Sequence, residues 1–161
     1  MTALDRRRFL LVSALTFAAP GAALAAADAY AASPWRKISD ADWRKRLAPD
    51  AYEVLRHEAT ERPGTSPLLA EHRKGTFVCA GCALPLFKSE WKFESGTGWP
   101  SFHTALPGAL GKKTDFKIGV PRTEYHCAQC LGHQGHVFDD GPRPTGLRYC
   151  NNGLALRFVP A

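Results

Sequence analysis

The sequence predicts one mainly β domain, with mostly antiparallel strands that follow a short helical segment. The chain has 161 residues, of which 45% are hydrophobic and 22% charged, so it can bury one core and is not typical of a disordered protein. After Leu69, short runs rich in β-branched and aromatic residues alternate with Gly and Pro turns, the pattern of an all-β unit. We therefore place the domain at residues 36–161.

Two helices are predicted at the start of this domain. Ser39 or Asp40 could cap a helix that runs through Trp43, and Asp50 could cap a second helix over residues 52–55. A side-chain oxygen at a capping position accepts a backbone N–H that has no partner in the first turn. The two segments would form a short helical preface to the strands.

Six strands are predicted in the remainder of the chain, each bounded by Gly, Pro or small polar residues. They span residues 76–78, 116–120, 123–126, 136–138, 147–150 and 154–158. No internal repeat interrupts them, which favours one β unit over an array of repeats.

The first 25 residues have the pattern of an export signal. Three arginines at 6–8 precede an apolar run at 9–19, which is too short to form a permanent membrane span. The run of arginines resembles a twin-arginine signal, which implies a periplasmic protein; an ordinary secretory signal is the alternative, and both export the chain. Residues 26–35 are predicted to be a flexible tail of mostly small residues.

Five cysteines are informative because an odd number leaves one thiol without an internal disulfide partner. Four of them form two C-x-x-C pairs separated by 44 residues, and such pairs suit the tetrahedral coordination that Zn²⁺ prefers. They are Cys79, Cys82, Cys127 and Cys130. We predict one structural zinc ion, because four thiolates leave no open position for a substrate. Two disulfides, a redox-active pair, and His126 as a replacement ligand are the alternatives.

Cys150 is then the one thiol available for chemistry. The alternation of a strand predicts that Arg148, Cys150 and Asn152 share one face. A guanidinium favours the thiolate, which is the nucleophilic form of cysteine, and Asn152 can donate a hydrogen bond. The alternative is that Cys150 is a small buried hydrophobe.

Two further elements accompany this thiol. His133 and His136 lie between glycines and could be metal ligands, turn residues or proton donors; beside a nucleophile, proton delivery is the role we favour. Trp99 lies between Gly98 and Pro100, where it could form an apolar wall for a methyl or thioether group or anchor a loop.

Together these motifs resemble the type B methionine sulfoxide reductases from about residue 38 to residue 158. The resemblance rests on five features in one order, where any one alone would be weak. The double C-x-x-C motif is one of them, and the other four are the segments at residues 98–102, 122–124, 135–142 and 148–152. Gly64 and residues 85–87 also match.

The resemblance implies two antiparallel sheets and reduction of the R epimer of methionine sulfoxide, mainly in peptides and proteins. It implies that Cys150 is the nucleophile, that Trp99 receives the ε-methyl group, and that Arg148 favours the thiolate. His133, His136 and Asn152 match the groups that hold a water molecule and the substrate oxygen. The expected partners are oxidised proteins or peptides and a small-thiol or thioredoxin-like reductant; a monomer without nucleic acid is expected.

One departure from the family pattern concerns turnover. Many members have a second, resolving cysteine where this chain has Thr97, and no spare cysteine remains. We therefore predict that an external thiol attacks the sulfenic acid of Cys150 directly. Asn151 and Gly153 also differ from the commoner aliphatic and Ser residues, which concerns the local strand geometry.

Two other functions compete with this interpretation. A zinc-ribbon binding module would not need Cys150, and a cysteine hydrolase would use Cys150 with His136 and Asn152. The formal net charge of +6 is a small surplus that is typical of a solvated surface and does not indicate nucleic-acid binding.

Overall fold

The computed structural model describes residues 29–161. The predicted export signal at residues 1–25 lies outside the described residues. Residues 29–32 form a turn, and a 3₁₀ helix at Pro34–Lys37 follows it, with Ser33 as its cap. Within residues 29–161, no helix is both long enough and apolar enough to cross a lipid bilayer.

Two α-helices precede the strands, α1 at Asp40–Arg46 and α2 at Pro49–His57. The predicted cap of α1 is confirmed, since the Ser39 hydroxyl accepts the Asp42 backbone N–H at 3.2 Å. The predicted cap of α2 is wrong, because Ala48 occupies that position and Asp50 lies in the first turn. Proline suits the first helical position, where its missing N–H has no partner to lose.

The described part of the chain has nine strands in two sheets, and every neighbouring pair is antiparallel, which confirms the predicted fold class. The three-stranded sheet has the order β2-β1-β9, and the six-stranded sheet has the order β3-β4-β8-β7-β6-β5. The strands are β1 Gly75–Cys79, β2 Pro85–Lys88, β3 Lys92–Phe93, β4 Ser101–Phe102, β5 Leu110–Asp115, β6 Arg122–Cys127, β7 His133–Phe138, β8 Arg148–Asn151 and β9 Leu156–Pro160.

The predicted strand at residues 116–120 is wrong. These residues form the turn between β5 and β6, and the strand is instead the lysine-bearing segment Leu110–Asp115 before them. Lys112 and Lys113 pair with Tyr125 and Glu124 of β6. Pairing with a neighbouring strand therefore overrides the higher β propensity of the apolar residues that follow.

The predicted strand at residues 154–158 begins later, because Gly153–Ala155 form a 3₁₀ helix. Gly153 has a steric reason to be there: a Cβ atom added to it would lie 1.9 Å from the Ser66 hydroxyl oxygen. Close packing against Ser66 therefore leaves no room for a side chain here, which explains the glycine that departs from the family pattern.

Aromatic side chains from both sheets form the core between them. Phe87 of the small sheet stacks on Phe102 of the large sheet, with ring centroids 4.2 Å apart, and Phe77 meets the same ring edge-on at 4.9 Å. Tyr125 and Tyr149 extend this cluster along the large sheet. Truncation of one such buried ring typically costs about 3–5 kcal/mol, so these contacts fix how the two sheets face each other.

Candidate active site and metal centre

The two C-x-x-C pairs form matching turns at the ends of strands. Cys79 ends β1 and Cys127 ends β6, and the carbonyl oxygen of each accepts a backbone N–H four residues later, from Ala83 and Leu131, at 2.9 Å. Ala83 and Leu131 adopt φ of 64° and 61°, a left-handed conformation that is unfavourable for residues with a side chain. The same turn, built twice, directs two sulfur atoms from each sheet towards one point.

The four sulfur atoms of these turns are buried and lie within 4.8 Å of one another. Cys79 and Cys130 are 3.6 Å apart, and Cys82 and Cys127 are 3.5 Å apart. A zinc ion with bonds of about 2.3 Å separates its sulfur ligands by roughly 3.8 Å, whereas a disulfide bond is only about 2.05 Å long. The described thiols are free, so the geometry is that of a four-ligand metal site and does not support the two-disulfide alternative.

Electrostatics within this cluster also fit a cation. Hydrogen bonds, first of all from Cys127, lower the pKa of Cys79, while hydrogen bonds with Cys130 and Cys79 raise the pKa of Cys127. A hydrogen bond with Cys127 likewise lowers the pKa of Cys82. The thiols alone therefore do not all ionise, and a bound cation would let all four become thiolates. His126 does not belong to this cluster of ligand atoms.

Cys150 lies at a separate small cavity of about 120 Å³. Four of the predicted site residues meet there, since Trp99, His136, Cys150 and Asn152 all line it. The other lining residues are Thr60, Arg122, Gly135, Phe138 and Asn151. None of the four metal-site cysteines lines this cavity, so the Cys150 thiol and the metal centre are distinct.

Strand register brings His136 to Cys150. The two residues pair directly across β7 and β8, which places their side chains on the same face of the sheet. His136 Nε2 lies 2.7 Å from Asp115 Oδ2, and Arg122 donates to the same oxygen at 2.6 Å. Asp115 is thus a site residue that the sequence analysis missed.

The charges of this pair are set by their surroundings. The backbone N–H of Lys117 is the main cause that holds the pKa of Asp115 well below its usual range, and His136 and Arg122 act in the same direction. Burial lowers the pKa of His136, while Asp115 opposes that shift. At neutral pH a carboxylate therefore faces a neutral imidazole, which donates its Nε2 hydrogen to Asp115 and leaves Nδ1 as an acceptor.

Cys150 is protonated at neutral pH. Burial raises the pKa of its thiol, and the Thr97 hydroxyl, 3.9 Å from the sulfur, and the Arg148 guanidinium act against that shift. Arg148 is itself held by two 2.8 Å hydrogen bonds to Asp140, which reduce its effective charge. The predicted influence of Arg148 is present but smaller than that of burial, so the thiol needs a base.

His133 does not line the cavity. Its ring is only 2% exposed and lies behind His136, with ring centroids 5.6 Å apart. Its Nδ1 is 3.0 Å from Glu124 Oε1, an ion-pair distance, although the two groups are not aligned as a hydrogen bond. The predicted catalytic role of His133 stays a prediction.

Asn152 lies just beyond the end of β8, and two hydrogen bonds fix its side-chain amide. Its Nδ2 donates to the Gln134 carbonyl at 3.0 Å, and its Oδ1 accepts the Glu61 backbone N–H at 3.1 Å. An amide carries two hydrogens, so one remains for a group in the cavity. Asn152 can therefore act as the predicted donor from a fixed position.

Glu61 is a second residue that the sequence analysis missed. Its carboxylate accepts the backbone N–H groups of Gly153 and Leu154, and its carbonyl accepts the Trp99 indole N–H at 3.1 Å. Together with its bond to Asn152, these contacts fix the Trp99 ring and the amide at the cavity. No local pattern reveals this role, because the partners lie 38 to 93 residues away in sequence.

A buried chain of hydrogen bonds connects the cavity strand to the metal centre. The Tyr125 hydroxyl donates to Asn151 Oδ1 at 2.8 Å, and Asn151 Nδ2 contacts Gln134 Oε1 at 3.4 Å. Gln134 Nε2 in turn lies 3.5 Å from the Cys79 sulfur. The unusual Asn151 is thus fully buried and hydrogen-bonded, and the strand geometry at Cys150 is regular.

Fold and site together define a β protein with a four-cysteine metal site and one thiol beside a histidine. A family model described as the SelR domain matches residues 47–160. A peptide methionine sulfoxide reductase MsrB of Agrobacterium fabrum is 52% identical over 129 residues, 80% of this chain and 96% of that protein. One of Leptospira interrogans is 51% identical over 121 residues, 74% of this chain and 92% of that protein.

The chain therefore belongs to the peptide methionine sulfoxide reductase MsrB family, and it is an oxidoreductase that reduces methionine sulfoxide. The binding-module alternative is not favoured. Among solved structures, the Mis18 'Yippee-like' domain matches with a TM-score of 0.46 and 14% identity, over 55% of this chain and 98% of that domain. That likeness is too low to bear on function.

Removal of the metal should loosen the joint between the two sheets. We expect a strong chelator to lower the Tm by about 10 °C or more, since each kcal/mol lost shifts the Tm of a domain of this size by about 4 °C. The number of thiols that react with a colorimetric reagent should rise from one to five. Cys150→Ser should reduce both counts by one; equal reactivity of all five thiols before chelation would contradict a metal site.

Asp115→Asn should impair the reductase through His136. The amide oxygen can still accept the Nε2 hydrogen, but the amide is uncharged and an imidazolium loses its counter-charge, so we expect kcat to fall about 100-fold, within the usual range for acid–base groups. The pKa of His136, measured by NMR, should fall further below its usual value. Lys117→Ala is the control, because it loosens the same turn and leaves the backbone N–H to Asp115 in place; an equal loss in that variant would refute this role.

Proposed function

We propose that the protein reduces the R epimer of methionine sulfoxide, mainly in peptides and proteins, through a sulfenic acid on Cys150. The observation that supports this most is the pairing of His136 with Cys150 across two strands at one cavity. It provides a nucleophile and a proton carrier at the same place. The fold, the family and the free thiol agree with this chemistry.

The reaction needs one proton for the sulfoxide oxygen, and the Cys150 thiol can supply it. Burial raises the pKa of Cys150 and lowers that of His136, so the resting pair is a thiol and a neutral imidazole. Transfer of the proton to Nδ1 creates the thiolate and an imidazolium whose Nε2 hydrogen stays on Asp115. Attack by the thiolate on the sulfoxide sulfur then forms an S–S bond, while the imidazolium returns its Nδ1 proton to the sulfoxide oxygen.

The atoms of the step balance without another reactant. The protonated oxygen then passes from the substrate sulfur to the Cys150 sulfur, which breaks the S–O bond of the substrate and the S–S bond between the two sulfur atoms. Cys150 is oxidised from a thiol to a sulfenic acid, while the sulfoxide is reduced to a thioether. Methionine then leaves the cavity.

Selection of one epimer follows from three unlike groups around the cavity. The Trp99 ring offers an apolar wall for the methyl group, Cys150 approaches the sulfur, and His136 and Asn152 offer hydrogen bonds to the oxygen. A sulfoxide sulfur has three different substituents and a lone pair, so only one epimer satisfies all three contacts at once. The family resemblance is the reason to assign the R epimer.

An external reductant restores Cys150. A first thiol, from a small molecule or a thioredoxin-like protein, attacks the sulfenic acid, releases water and leaves a mixed disulfide; a second thiol releases Cys150. All five cysteines of the chain are described, and the four outside the cavity belong to the metal cluster. Thr97, which touches Cys150, has a hydroxyl where many relatives have a resolving thiol.

The four-cysteine site would hold Zn²⁺ as a structural ion. Four buried sulfur donors suit zinc, and complete coordination leaves no place for substrate. Its contribution is to stabilise the joint between the sheets. The N-terminal sequence further supports export to the periplasm, where repair of oxidised proteins would occur.

Separated epimers test the proposed activity. We expect the full-length protein to consume the R sulfoxide of N-acetyl-methionine amide with dithiothreitol at least about 100-fold faster than the S sulfoxide, and thioredoxin to replace dithiothreitol. Cys150→Ser should lose this activity and keep its metal content, measured by elemental analysis. Preference for the S epimer, or activity that survives in Cys150→Ser, would contradict the proposal.

The recycling route is tested by a resolving cysteine placed beside Cys150. After one turnover without reductant, the natural protein should carry one sulfenic acid, which dimedone labels and mass spectrometry detects. Thr97→Cys should form a disulfide with Cys150 instead, because the two side chains already touch. Thr97→Ser is the matched control and should behave as the natural protein does. An intramolecular disulfide in the natural protein would refute direct attack by an external thiol.

A further inference from the structure

An exposed apolar turn lies between β5 and β6. We call residues 116–121 the hairpin tip. Phe116, Ile118 and Val120 are 66%, 62% and 60% exposed, the highest values among the exposed large hydrophobic residues of the described chain. Exposed apolar groups that cluster in this way on a folded domain usually mark a surface that binds something.

The hairpin tip has a defined conformation. The Gly119 backbone N–H donates to the Phe116 carbonyl at 2.9 Å, which closes a tight turn. The Lys117 backbone N–H donates to Asp115 Oδ1 at 2.8 Å, and the Lys117 ammonium pairs with Glu58 at 2.6 Å. A surface that is ordered before binding loses less entropy when a ligand arrives.

A groove beside this tip adjoins the cavity that holds Cys150. One side of it forms an open groove of about 680 Å³ whose apolar lining is Ile118, Val120, Pro121, Val137, Phe138 and Leu147. Phe138 and Arg122 line both this groove and the cavity that holds Cys150. Arg122 and His136 also share the Asp115 carboxylate, which joins the base of the tip to the catalytic histidine.

The charges around the tip argue against an anionic partner. Lys117 and Lys113 are both paired with Glu58, and Lys113 also contacts Glu124 at 3.2 Å. Arg122 is paired with Asp115. Lys112 and Asp139 also line the groove and supply one charge of each sign. Since the other cations are paired within the protein, a nucleic acid or an acidic lipid surface would gain little there, and a largely apolar ligand fits better.

We propose that the groove and the hairpin tip bind apolar residues that flank a methionine sulfoxide in an extended polypeptide. The inference rests on the proposed function and adds to it a preference for apolar flanking residues. Methionine fills gaps in hydrophobic cores, and its oxidation disrupts such cores. The segment that carries it has further apolar residues within a few positions, at the spacing of a core-facing strand or helix. A segment exposed in this way could place its sulfoxide in the cavity and its flanking side chains in the groove.

Two peptides and one small substrate separate this role from catalysis. The first peptide has methionine sulfoxide between Leu and Phe, the second has it between Ser and Gly, and the small substrate is N-acetyl-methionine-R-sulfoxide amide. We expect the natural protein to have the lowest KM for the first peptide. In Phe116→Ser/Ile118→Ser/Val120→Ser, this KM should rise about tenfold, the effect of losing one buried side chain or more, while kcat stays the same.

The control pair is Val120→Ser and Val159→Ser, the same change at two exposed valines, 60% and 48% accessible. Only Val120→Ser should raise the KM for the apolar peptide, and neither should alter kcat/KM for the small substrate. An unchanged KM in the triple variant would overturn the inference, as would an equal loss with all three substrates.

Other occupants of this surface would give different results. If the triple variant raised the KM for thioredoxin alone, the surface would bind the reductant; if it converted a dimer to a monomer in size-exclusion chromatography, it would bind a second copy. Either result would overturn substrate docking. If the natural protein turns over the small substrate but shows no preference for the apolar peptide, the inference alone is refuted. If it turns over no sulfoxide, the proposed function is refuted and the inference with it.

Discussion

The four-cysteine cluster is the constraint that fixes the relation of the two sheets. Two of its sulfur atoms come from the turn after β1 and two from the turn after β6, so one metal ion would join both sheets at one end. The stacked rings of Phe87 and Phe102 fill the space between the sheets further along. Since β7 begins three residues after Cys130, the position of the cluster also sets where β7 runs and therefore where His136 lies.

The active site depends on this frame through buried polar contacts. Asn151 and Gln134 connect the strand of Cys150 to the sulfur of Cys79, and Glu61 ties the Trp99 ring to the 3₁₀ helix that follows that strand. Each buried polar group in such a chain costs about 1–3 kcal/mol if it loses its partner, so the network is maintained as a unit. The small cavity is thus held in place by a buried network that reaches well beyond its lining.

The two kinds of cysteine illustrate how surroundings decide the chemistry of one side chain. Four thiols share one buried point, where a cation would take up their negative charge and leave them inert. Cys150 instead lies alone in a small cavity, where burial raises its pKa and keeps it protonated until a base accepts the proton. Its neighbour His136 has a lowered pKa and a carboxylate behind it, which suits that transfer.

Much of the site could be predicted because most of its residues lie in short sequence motifs. The C-x-x-C pairs, the lone Cys150 and the His136 segment each carry a local pattern, and the structure brings Trp99, His136, Cys150 and Asn152 to one cavity. Asp115 and Glu61 could not be predicted in this way. Their partners come from distant strands and loops, and an isolated carboxylate in a loop or at a strand end has no pattern that distinguishes it from a solvated one.

The sequence by itself determined the fold class, the metal-binding residues and the one thiol left outside the metal cluster, because periodicity, turn residues and cysteine spacing are local properties. Only the tertiary structure decided which segments pair. It made a strand of Leu110–Asp115 and left the more apolar residues 116–120 as an exposed turn. The physical reason is that backbone hydrogen bonds and buried contacts are made with a partner strand, and the identity of that partner is not encoded in the propensity of the segment alone.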